Sequence, residues 1–379
     1  MAGLGRTIAD LSHHRKAWKK LLQTGITGGL GSTPAGRLHE TPEFGPDPGN
    51  LRMLSHVPDT LSASPALVVV LHGCTQNAAA YDQGAGWSAL ADRHGFALLL
   101  PEQRKANNPN TCFNWFQLHQ TARGMGEALS IRSMIATMAR EHGIDPQRIF
   151  ITGLSAGGAM ASVMLATYPE VFAGGAIIAG LPYRAATDIP SAFQSMSHPH
   201  GLTAREQGDL VRAASNHQGP WPSISIWQGT ADTTVHPANA TELLKQWTDV
   251  HGLAMTPTHQ DKVDGHPHRS WRDESGRILV EDYLIGGMGH GTPLSTIEGK
   301  HLYGRTGPYM LEAGIPSSFH IAQAWNLTGT RFEPTALPAI VDQGPEAGQI
   351  SSDPRQADHR GPPLREVIEN ALKSAGLLK

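Results

Sequence analysis

The sequence predicts an α/β fold with a mainly parallel central sheet and helices on both faces. Short apolar runs typical of buried strands alternate with segments of helical periodicity along most of the chain. One run, residues 66–71, is apolar at every position, as expected for a strand that is covered on both faces. Polar or glycine-rich loops follow several runs, at the edge where open α/β sheets bind their ligands.

The alternation predicts the elements in order. Strands are expected at residues 51–57 (an edge strand), 66–71, 96–100, 149–152, 174–179, 223–228 and 278–285. Helices are expected at residues 78–94, 126–142 and 237–250, with another one directly after residue 155. Residues 181–220 are polar and lack strand patterning, so we interpret them as a lid-like insertion over the site.

Helical extensions are expected at both ends of a central domain that covers residues 51–330. Residues 7–22 carry an apolar helical face, and the Gly- and Pro-rich stretch 24–50 is interpreted as a linker. After residue 330 the composition again becomes that of a linker, and residues 364–375 form an amphipathic pattern. The segments 1–50 and 331–379 are therefore predicted to be appended to the central domain.

Composition narrows the class of protein. The chain of 379 residues is 39% hydrophobic and 17% charged, which suits a globular protein with a sizeable core. Its net charge of −3 offers no electrostatic basis for binding nucleic acid. No apolar run approaches the roughly 20 residues of a transmembrane helix. The N-terminal residues lack the apolar segment of a secretory signal, so a cytoplasmic location is expected, with secretion as the alternative.

The residues around Ser155 carry the strongest chemical signal. Gly153-Leu-Ser-Ala-Gly157 matches G-x-S-x-G, with a predicted strand before it and a helical pattern after it. Such a turn presents its serine on a sharp, strained backbone, so the residues two positions away must lack bulk. An ordinary glycine-rich turn is the alternative, but the strand–turn–helix context favours a nucleophile.

A serine hydroxyl needs a base within hydrogen-bond reach, and that base needs a carboxylate to orient it. Two loops at strand ends supply these groups in the chain order serine, acid, histidine. Asp232 follows one predicted strand, and His290 lies between glycines after another. We therefore predict a catalytic triad of Ser155, Asp232 and His290.

Other residues could fill the last two roles. The chain has 20 histidines, so a single histidine is weak evidence. His236 and His266 are the alternative bases. Asp188 and Asp264 are the alternative acids, and they are weaker because neither follows a clear strand.

An oxyanion formed by attack of the serine needs two backbone N–H donors. One is expected from Ala156, directly after the nucleophile, and the other from Cys74, in the loop after the strand at 66–71. Trp115, Phe116 and Trp87 are candidates for an apolar pocket wall, with ordinary core packing as the alternative for each. Two cysteines can form a disulfide or remain thiols, and the residues alone leave both readings of Cys74 and Cys112 open.

No metal or cofactor is predicted. His198-Pro-His200 and His266-Pro-His268 pair histidines, but neither has a carboxylate or cysteine at ligand spacing. The chain contains neither a P-loop motif nor a dinucleotide-binding fingerprint.

The motifs together resemble those of the polyhydroxybutyrate depolymerase-like esterases, α/β-hydrolases that are also similar to feruloyl and acetylxylan esterases. The matching stretches span about residues 50–330 and are Leu71–Gln76, Cys112–Phe116, Gly153–Gly158, Gly180–Tyr183, Trp227–Asp232 and Gly287–His290. The resemblance implies an α/β-hydrolase fold, the triad, and an oxyanion hole at Cys74 and Ala156. It further implies a Cys74–Cys112 disulfide that brings the Trp115 loop beside the hole, and it adds Tyr183 as a candidate substrate contact.

Three hypotheses about function follow. The first is a serine carboxylesterase that uses an acyl-enzyme mechanism on poly- or oligo-hydroxyalkanoate esters. The second is a feruloyl, acetylxylan or general short-chain carboxylesterase. The third, of another class, is a granule- or polymer-binding protein anchored by its terminal helices. The filled triad positions favour an enzyme over a binding protein.

Overall fold

A computed structural model of the chain describes residues 37–199, 201–297 and 303–329. Within these ranges ten strands form the main sheet: β1 (His39–Thr41), β2 (Arg52–His56), β3 (Leu67–Leu71), β4 (Ala97–Glu102), β5 (Ile149–Leu154), β6 (Gly174–Ile178), β7 (Ser223–Gly229), β8 (His259–Val263), β9 (His266–Arg272) and β10 (Ile278–Ile285). Their order in the sheet is β1-β2-β4-β3-β5-β6-β7-β10-β9-β8. Two short strands, β11 (Thr292–Leu294) and β12 (Met310–Glu312), pair in parallel as a separate sheet.

The centre of the main sheet is parallel. The strands β4, β3, β5, β6, β7 and β10 each run parallel to their neighbours in this series. The outer pairs β1–β2, β2–β4, β10–β9 and β9–β8 are antiparallel. The carboxyl ends of β3, β5, β7 and β10 therefore meet at one edge of the sheet. This is an α/β-hydrolase fold, and the predicted fold class is confirmed.

Helices cover both faces of the sheet. The described residues contain α1 (Ala78–Ala85), α2 (Trp87–His94), α3 (Leu118–Thr121), α4 (Gly126–His142), α5 (Ala156–Thr167), α6 (Ile189–Ser197), α7 (Ala204–Arg212), α8 (Ala238–Val250) and α9 (Ser317–Ala324). Apolar side chains of α4, α5 and α8 belong to the core on one face, and those of α1, α2 and α9 to the core on the other.

The position of β3 inside the sheet explains why every residue of this strand is apolar. Successive side chains of a strand point to opposite faces. Leu67, Val69 and Leu71 accordingly pack into one core, and Val68 and Val70 pack into the other. Because both faces are covered, no position of the strand is exposed to solvent, and a polar residue would lie buried at any of them.

The helix expected at 78–94 is broken into α1 and α2 at Gly86. This residue adopts a left-handed conformation with φ 76°, and its N–H donates to Asp82 O as α1 ends. A Cβ at this position would also lie 2.2 Å from the backbone of Tyr303. A glycine in a helical pattern can be tolerated within the helix or can end it. Here the close approach of the Tyr303 segment decides between these outcomes, and the helical pattern alone does not show it.

Two sequence-based expectations at the sheet edges need correction, and one hairpin was not predicted. Residues 39–41 belong to the segment interpreted as a linker but form β1, so β2 lies between β1 and β4 and not at an edge. The strands β8 and β9 form a hairpin that we did not predict. The reason is that β1 and β8 are mostly exposed and polar, so backbone pairing holds them without an apolar pattern.

Residues 181–220 contain no strand in their described part, as expected, but do contain α6 and α7. The helix α7 packs on α8: Val211 is buried in the core, and Gln207 Nε2 donates to Glu242 Oε2 at 2.9 Å. The C-terminal end of α6 contacts the loop after β7, where His236 N donates to Met196 O at 2.8 Å. A lid role for this segment stays a prediction.

The helices predicted at 7–22 and 364–375 lie outside the described residues, as does His200. Among the helices that the structure does describe, none is long and apolar enough to span a bilayer.

Candidate active site

Ser155 occupies a strained turn between β5 and α5. Its φ of 58° and ψ of −119° are unusual for a residue with a side chain. Its N–H donates to Ile178 O at 2.9 Å, at the end of the neighbouring strand β6. Its carbonyl oxygen accepts from Ala159 N at 2.8 Å, inside the first turn of α5. Bonds on both sides thus hold the serine in a conformation that the isolated backbone would not favour.

The two motif glycines allow this turn to pack closely. A Cβ on Gly153 would lie 2.4 Å from the backbone of Gly157. A Cβ on Gly157 would lie 2.3 Å from Leu71 O and 2.6 Å from His72 O, at the end of β3. The elbow is therefore pressed against the loop that contains Cys74, and glycine is required on both sides of the serine.

We expect Gly157→Ala to destabilise the protein by several kcal/mol, about the upper range for a single substitution, because the new methyl group meets backbone and not a movable side chain. Thermal unfolding would measure the effect. Gly201→Ala is the matched control, since a Cβ there meets nothing within 4 Å. Equal stability of the two variants would contradict the close approach of elbow and β3 loop.

Asp232 and His290 are joined by a buried hydrogen bond. His290 Nδ1 lies 2.7 Å from Asp232 Oδ2, and the exposed fractions of the two side chains are 6% and 0%. The other carboxylate oxygen, Oδ1, accepts from the N–H groups of Thr234 and Val235 at 2.8 and 2.9 Å. Asp232 is thus held by the turn after β7 with one oxygen directed at the imidazole, which requires the proton on Nδ1.

The remaining nitrogen of His290 is left available. Its Nε2 is buried and has no hydrogen-bond partner among the described residues. The loop that carries it is tied to the loop of Asp232, because Ala231 N donates to Met288 O at 3.0 Å and Gly287 N donates to Thr230 Oγ1 at 2.9 Å. An unprotonated, unpartnered imidazole nitrogen is the acceptor that a general base needs.

The alternative acids and bases lie elsewhere. His236 is exposed, and its Nδ1 accepts from Ala238 N. His266 Nε2 donates to Ala313 O at 2.7 Å. Asp188 caps the N-terminus of α6, and Asp264 pairs with His320. The pair favoured by the sequence order and the glycine context, Asp232 and His290, is hydrogen-bonded at the carboxyl ends of β7 and β10, and its role in catalysis stays a prediction.

The two expected oxyanion donors can donate hydrogen bonds to a ligand oxygen. Within the described residues no acceptor is recorded for the N–H of Cys74 or of Ala156. Ala156 begins α5, where the first N–H groups of a helix have no intrahelical partner. Cys74 follows β3, the sheet neighbour of β5. The role of both groups as an oxyanion hole remains a proposal.

Cys74 and Cys112 form a disulfide across 38 residues of sequence. The bond ties the β3 loop to the loop that continues into Trp115 and Phe116, and Thr75 N adds a hydrogen bond to Asn110 O at 2.6 Å. Structural disulfides persist in oxidising compartments and are rare in the cytosol. The expected cytoplasmic location is therefore wrong.

We expect Cys112→Ser to lower the free energy of unfolding by roughly 3–4 kcal/mol, because the unfolded chain loses a closed loop. It should also lower kcat more than it changes KM, since a looser Cys74 N–H affects the transition state more than substrate binding. Denaturant unfolding and steady-state kinetics would measure both effects. A reducing agent should shift the wild type in the same direction and leave the variant unchanged; equal sensitivity of both proteins would contradict the assignment.

The candidate substrate contacts divide into two groups. Trp115 and Phe116, each 8% exposed, lie next to the disulfide and pack edge to face. Tyr183 is buried, and its hydroxyl accepts from Arg184 Nε. Trp87, in contrast, is fully buried in the core and stacks on Trp325. Its expected place in the pocket wall is corrected to core packing, because α2 turns the ring toward α9.

Sequence reasoning missed Tyr309, whose ring stands edge-on to His290 with centroids 6.1 Å apart. Its carbonyl oxygen accepts from Thr292 N at 2.8 Å, which holds the residue beside the histidine loop. No motif marks it, because it reaches the site only through the pairing of β11 with β12. Some 19 residues separate it from His290 along the chain.

Among the residues that the structure describes, no group of three or more His, Cys, Asp or Glu side chains is placed to hold a metal ion. His268 lies between Asp261 and Glu281, at 2.7 and 3.2 Å. Burial opposes its charged form, but the hydrogen bonds to these two carboxylates outweigh it and leave the pKa of His268 raised.

Comparison with known proteins places this geometry in context. Residues 54–263 match the family described as "Esterase PHB depolymerase". The chain is 48% identical to poly(3-hydroxyalkanoate) depolymerase C of Paucimonas lemoignei over 293 residues, which cover 77% of this chain and 70% of the relative. It is 32% identical to acetylxylan esterase A of Aspergillus oryzae, covering 72% and 90% of the two chains. The solved structure of the acetyl xylan esterase from Aspergillus awamori matches with a TM-score of 0.62 and 25% identity, covering 67% and 94%.

Proposed function

Since the chain belongs to the PHB depolymerase esterase family and is a carboxylester hydrolase, we propose that it cleaves poly- or oligo-hydroxyalkanoate esters with a Ser155–His290–Asp232 triad. The observation that carries the triad is the buried Asp232–His290 hydrogen bond, with an unpartnered Nε2 at the same edge of the sheet as the strained Ser155. The substrate class rests on the 48% identity with a poly(3-hydroxyalkanoate) depolymerase.

The proposed reaction has two halves. His290 Nε2 takes the hydroxyl proton of Ser155 while Oγ attacks the ester carbon, and the N–H groups of Cys74 and Ala156 bind the resulting oxyanion. As the C–O bond breaks, His290 returns the proton to the departing alcohol, leaving an acyl-enzyme. A water molecule, deprotonated by the same nitrogen, then releases the acid and restores Ser155. Asp232 keeps the imidazole in the required tautomer and stabilises its charged form.

A second candidate is an acetylxylan or feruloyl esterase. The observation that favours it is the 32% identity with acetylxylan esterase A over 90% of that protein, together with 32% identity to feruloyl esterase B of Thermothelomyces thermophilus over 89% of its length. The triad would be the same, and only the groups that contact the acyl and alcohol parts would differ.

A hydrolysis panel separates these candidates. It comprises hydroxybutyrate oligomers, acetylated xylan, methyl ferulate and p-nitrophenyl esters of increasing chain length, with Ser155→Ala as the blank. We expect the highest kcat/KM among the natural substrates on the hydroxybutyrate oligomers. A higher value on acetylated xylan or methyl ferulate would overturn the proposed substrate class but leave the triad standing. Binding to polymer without any hydrolysis would support the third hypothesis of a polymer-binding protein.

A further inference from the structure

A buried carboxylate lies behind the candidate oxyanion loop. Glu127, in the first turn of α4, is fully inaccessible to solvent. Its Oε1 accepts from Gln103 Nε2 and from Asn114 Nδ2, each at 2.6 Å, and its Oε2 accepts from Asn114 N at 2.8 Å. Burial raises the pKa of Glu127 to about 7, although the bonds from Asn114 and Gln103 oppose the rise. The fold thus maintains an acidic group where burial penalises its charge.

The amide groups around Glu127 can adopt only one orientation. Asn114 Oδ1 accepts from the side-chain amides of Asn108 and Gln117, both at 3.2 Å. Gln103 Oε1 accepts from Arg104 N at 2.9 Å and Asn107 Nδ2 at 2.7 Å. The nitrogen atoms of both amides must therefore face Glu127, so the site presents three donors to it. Such a site suits a carboxylate that only accepts hydrogen bonds.

One chain of hydrogen bonds leads from Glu127 through Gln103 and His72 to the Gly73–Cys74 peptide. The backbone N–H of Gln103 donates to His72 Nε2 at 3.1 Å, which leaves Nδ1 as the protonated nitrogen of the ring. His72 Nδ1 then donates to Gly73 O at 2.8 Å. Burial lowers the pKa of His72, which keeps the ring neutral. Gly73 O and Cys74 N belong to the same peptide plane, so this bond fixes the direction of the Cys74 N–H.

The second chain of hydrogen bonds from Glu127 leads to the loop that carries Trp115 and Phe116. Asn114 is held by two bonds to Glu127 and stands directly before Trp115 in the chain. Phe113, on its other side, packs against the ring of His72 with centroids 5.0 Å apart. The Cys74–Cys112 disulfide closes the ring of contacts. The loop of Cys74 and the loop of Trp115 are therefore both connected to one carboxylate.

We propose that Glu127 is a positioning residue for ester hydrolysis, which holds the Asn114 segment directly and orients the Gly73–Cys74 peptide through Gln103 and His72. The proposal rests on the proposed function, because it concerns the oxyanion donor of that reaction. Glu127 touches no reacting atom; it acts through the residues that do. An oxyanion donor stabilises the transition state only when it is held in place beforehand, and this network does so from behind the loop.

The test compares Glu127→Gln, Gln103→Met, the double variant and the control Thr137→Val. The glutamine keeps the shape of Glu127 but turns an NH₂ group toward donors. We expect kcat to fall about tenfold, below the ~10²–10³ of losing an oxyanion donor outright, and KM to change less than about twofold. The affinity for an alkyl boronic acid, whose serine adduct places an oxygen in the hole, should fall by a similar factor. Gln103→Met should act in the same direction, and the double variant should be little worse than Glu127→Gln.

Thr137→Val separates positioning from general destabilisation. Thr137 is buried on the same helix and donates to Phe44 O at 3.1 Å, away from the loops. The control should lower the melting temperature but leave kcat and boronate affinity unchanged, with active sites counted by a fluorophosphonate label. If Glu127→Gln retains wild-type kcat, or loses kcat with unchanged boronate affinity, the proposal is overturned. If that variant does not fold, Gln103→Met decides by the same criteria. If the wild-type protein neither hydrolyses esters nor reacts with the label, the proposed function itself is wrong.

Discussion

Replacing Ser155 by alanine is expected to reduce ester hydrolysis by about 10⁵–10⁶-fold, as the loss of a catalytic serine does in other triad hydrolases. Removal of the hydroxyl leaves His290 and Asp232 without a nucleophile to activate. The fold should persist, because the backbone bonds of the turn run through the N–H and carbonyl of residue 155 and not through its side chain. Initial rates on p-nitrophenyl esters, together with circular dichroism, would measure both effects.

Ser162→Ala is a matched control on the same helix. Its hydroxyl is buried and donates to Leu181 O at 2.8 Å, so its loss affects stability and not the site. A fluorophosphonate should label the wild type and the Ser162 variant at Ser155 and leave the Ser155 variant unlabelled. A folded Ser155→Ala protein with more than about one hundredth of wild-type turnover would show that another residue is the nucleophile, since oxyanion stabilisation and binding alone leave far less.

Replacing Asp232 by asparagine is expected to lower kcat by about 10⁴-fold, the cost of trapping the wrong imidazole tautomer. The geometry shows why the tautomer would change. Two backbone N–H groups donate to Oδ1, so the asparagine oxygen must stay there and its NH₂ group must face His290 Nδ1. The proton of the neutral ring would then move to Nε2, which could no longer accept one from Ser155.

The pair Asp264–His320 offers a direct control for this prediction. Its carboxylate also lies 2.7 Å from an imidazole nitrogen, but outside the site. Asp264→Asn should keep wild-type kcat, and asparagine tolerates the left-handed backbone at this position, where φ is 47°. A comparable loss in both variants would mean that the effect is structural. Near-normal turnover of Asp232→Asn would refute the orienting role.

Local chemistry made part of the site predictable. The G-x-S-x-G turn needs small residues because the elbow packs on the end of β3. Five consecutive residues of the sequence are enough to recognise this requirement. Asp232 and His290 were identifiable because parallel strands end at one edge, so loops distant in sequence converge there. The disulfide, implied by family resemblance, is present, whereas the residues alone left it open.

Other features of the candidate site could not be predicted from the sequence, because they depend on contacts between segments that lie far apart along the chain. The sequence left Trp87 open as a pocket residue or a core residue, and the core position follows from its stacking on Trp325, more than 200 positions along the chain. Tyr309 and Glu127 carry no motif, and each matters only through neighbours brought by the tertiary structure. The cytoplasmic location expected from the sequence is contradicted by the Cys74–Cys112 disulfide, whose pairing only the structure shows.

The sequence by itself determined the α/β order of the elements, the strand–serine–helix turn and the chain order of the candidate residues Ser155, Asp232 and His290. These follow from periodicity and steric need, which act over a few residues. Only the tertiary structure decided which side chains meet around these residues: the hydrogen bonds of Glu127, the core position of Trp87 and the approach of Tyr309 to His290. Such support arises from packing between distant segments, and burial and hydrogen bonding at those contacts have no local signature.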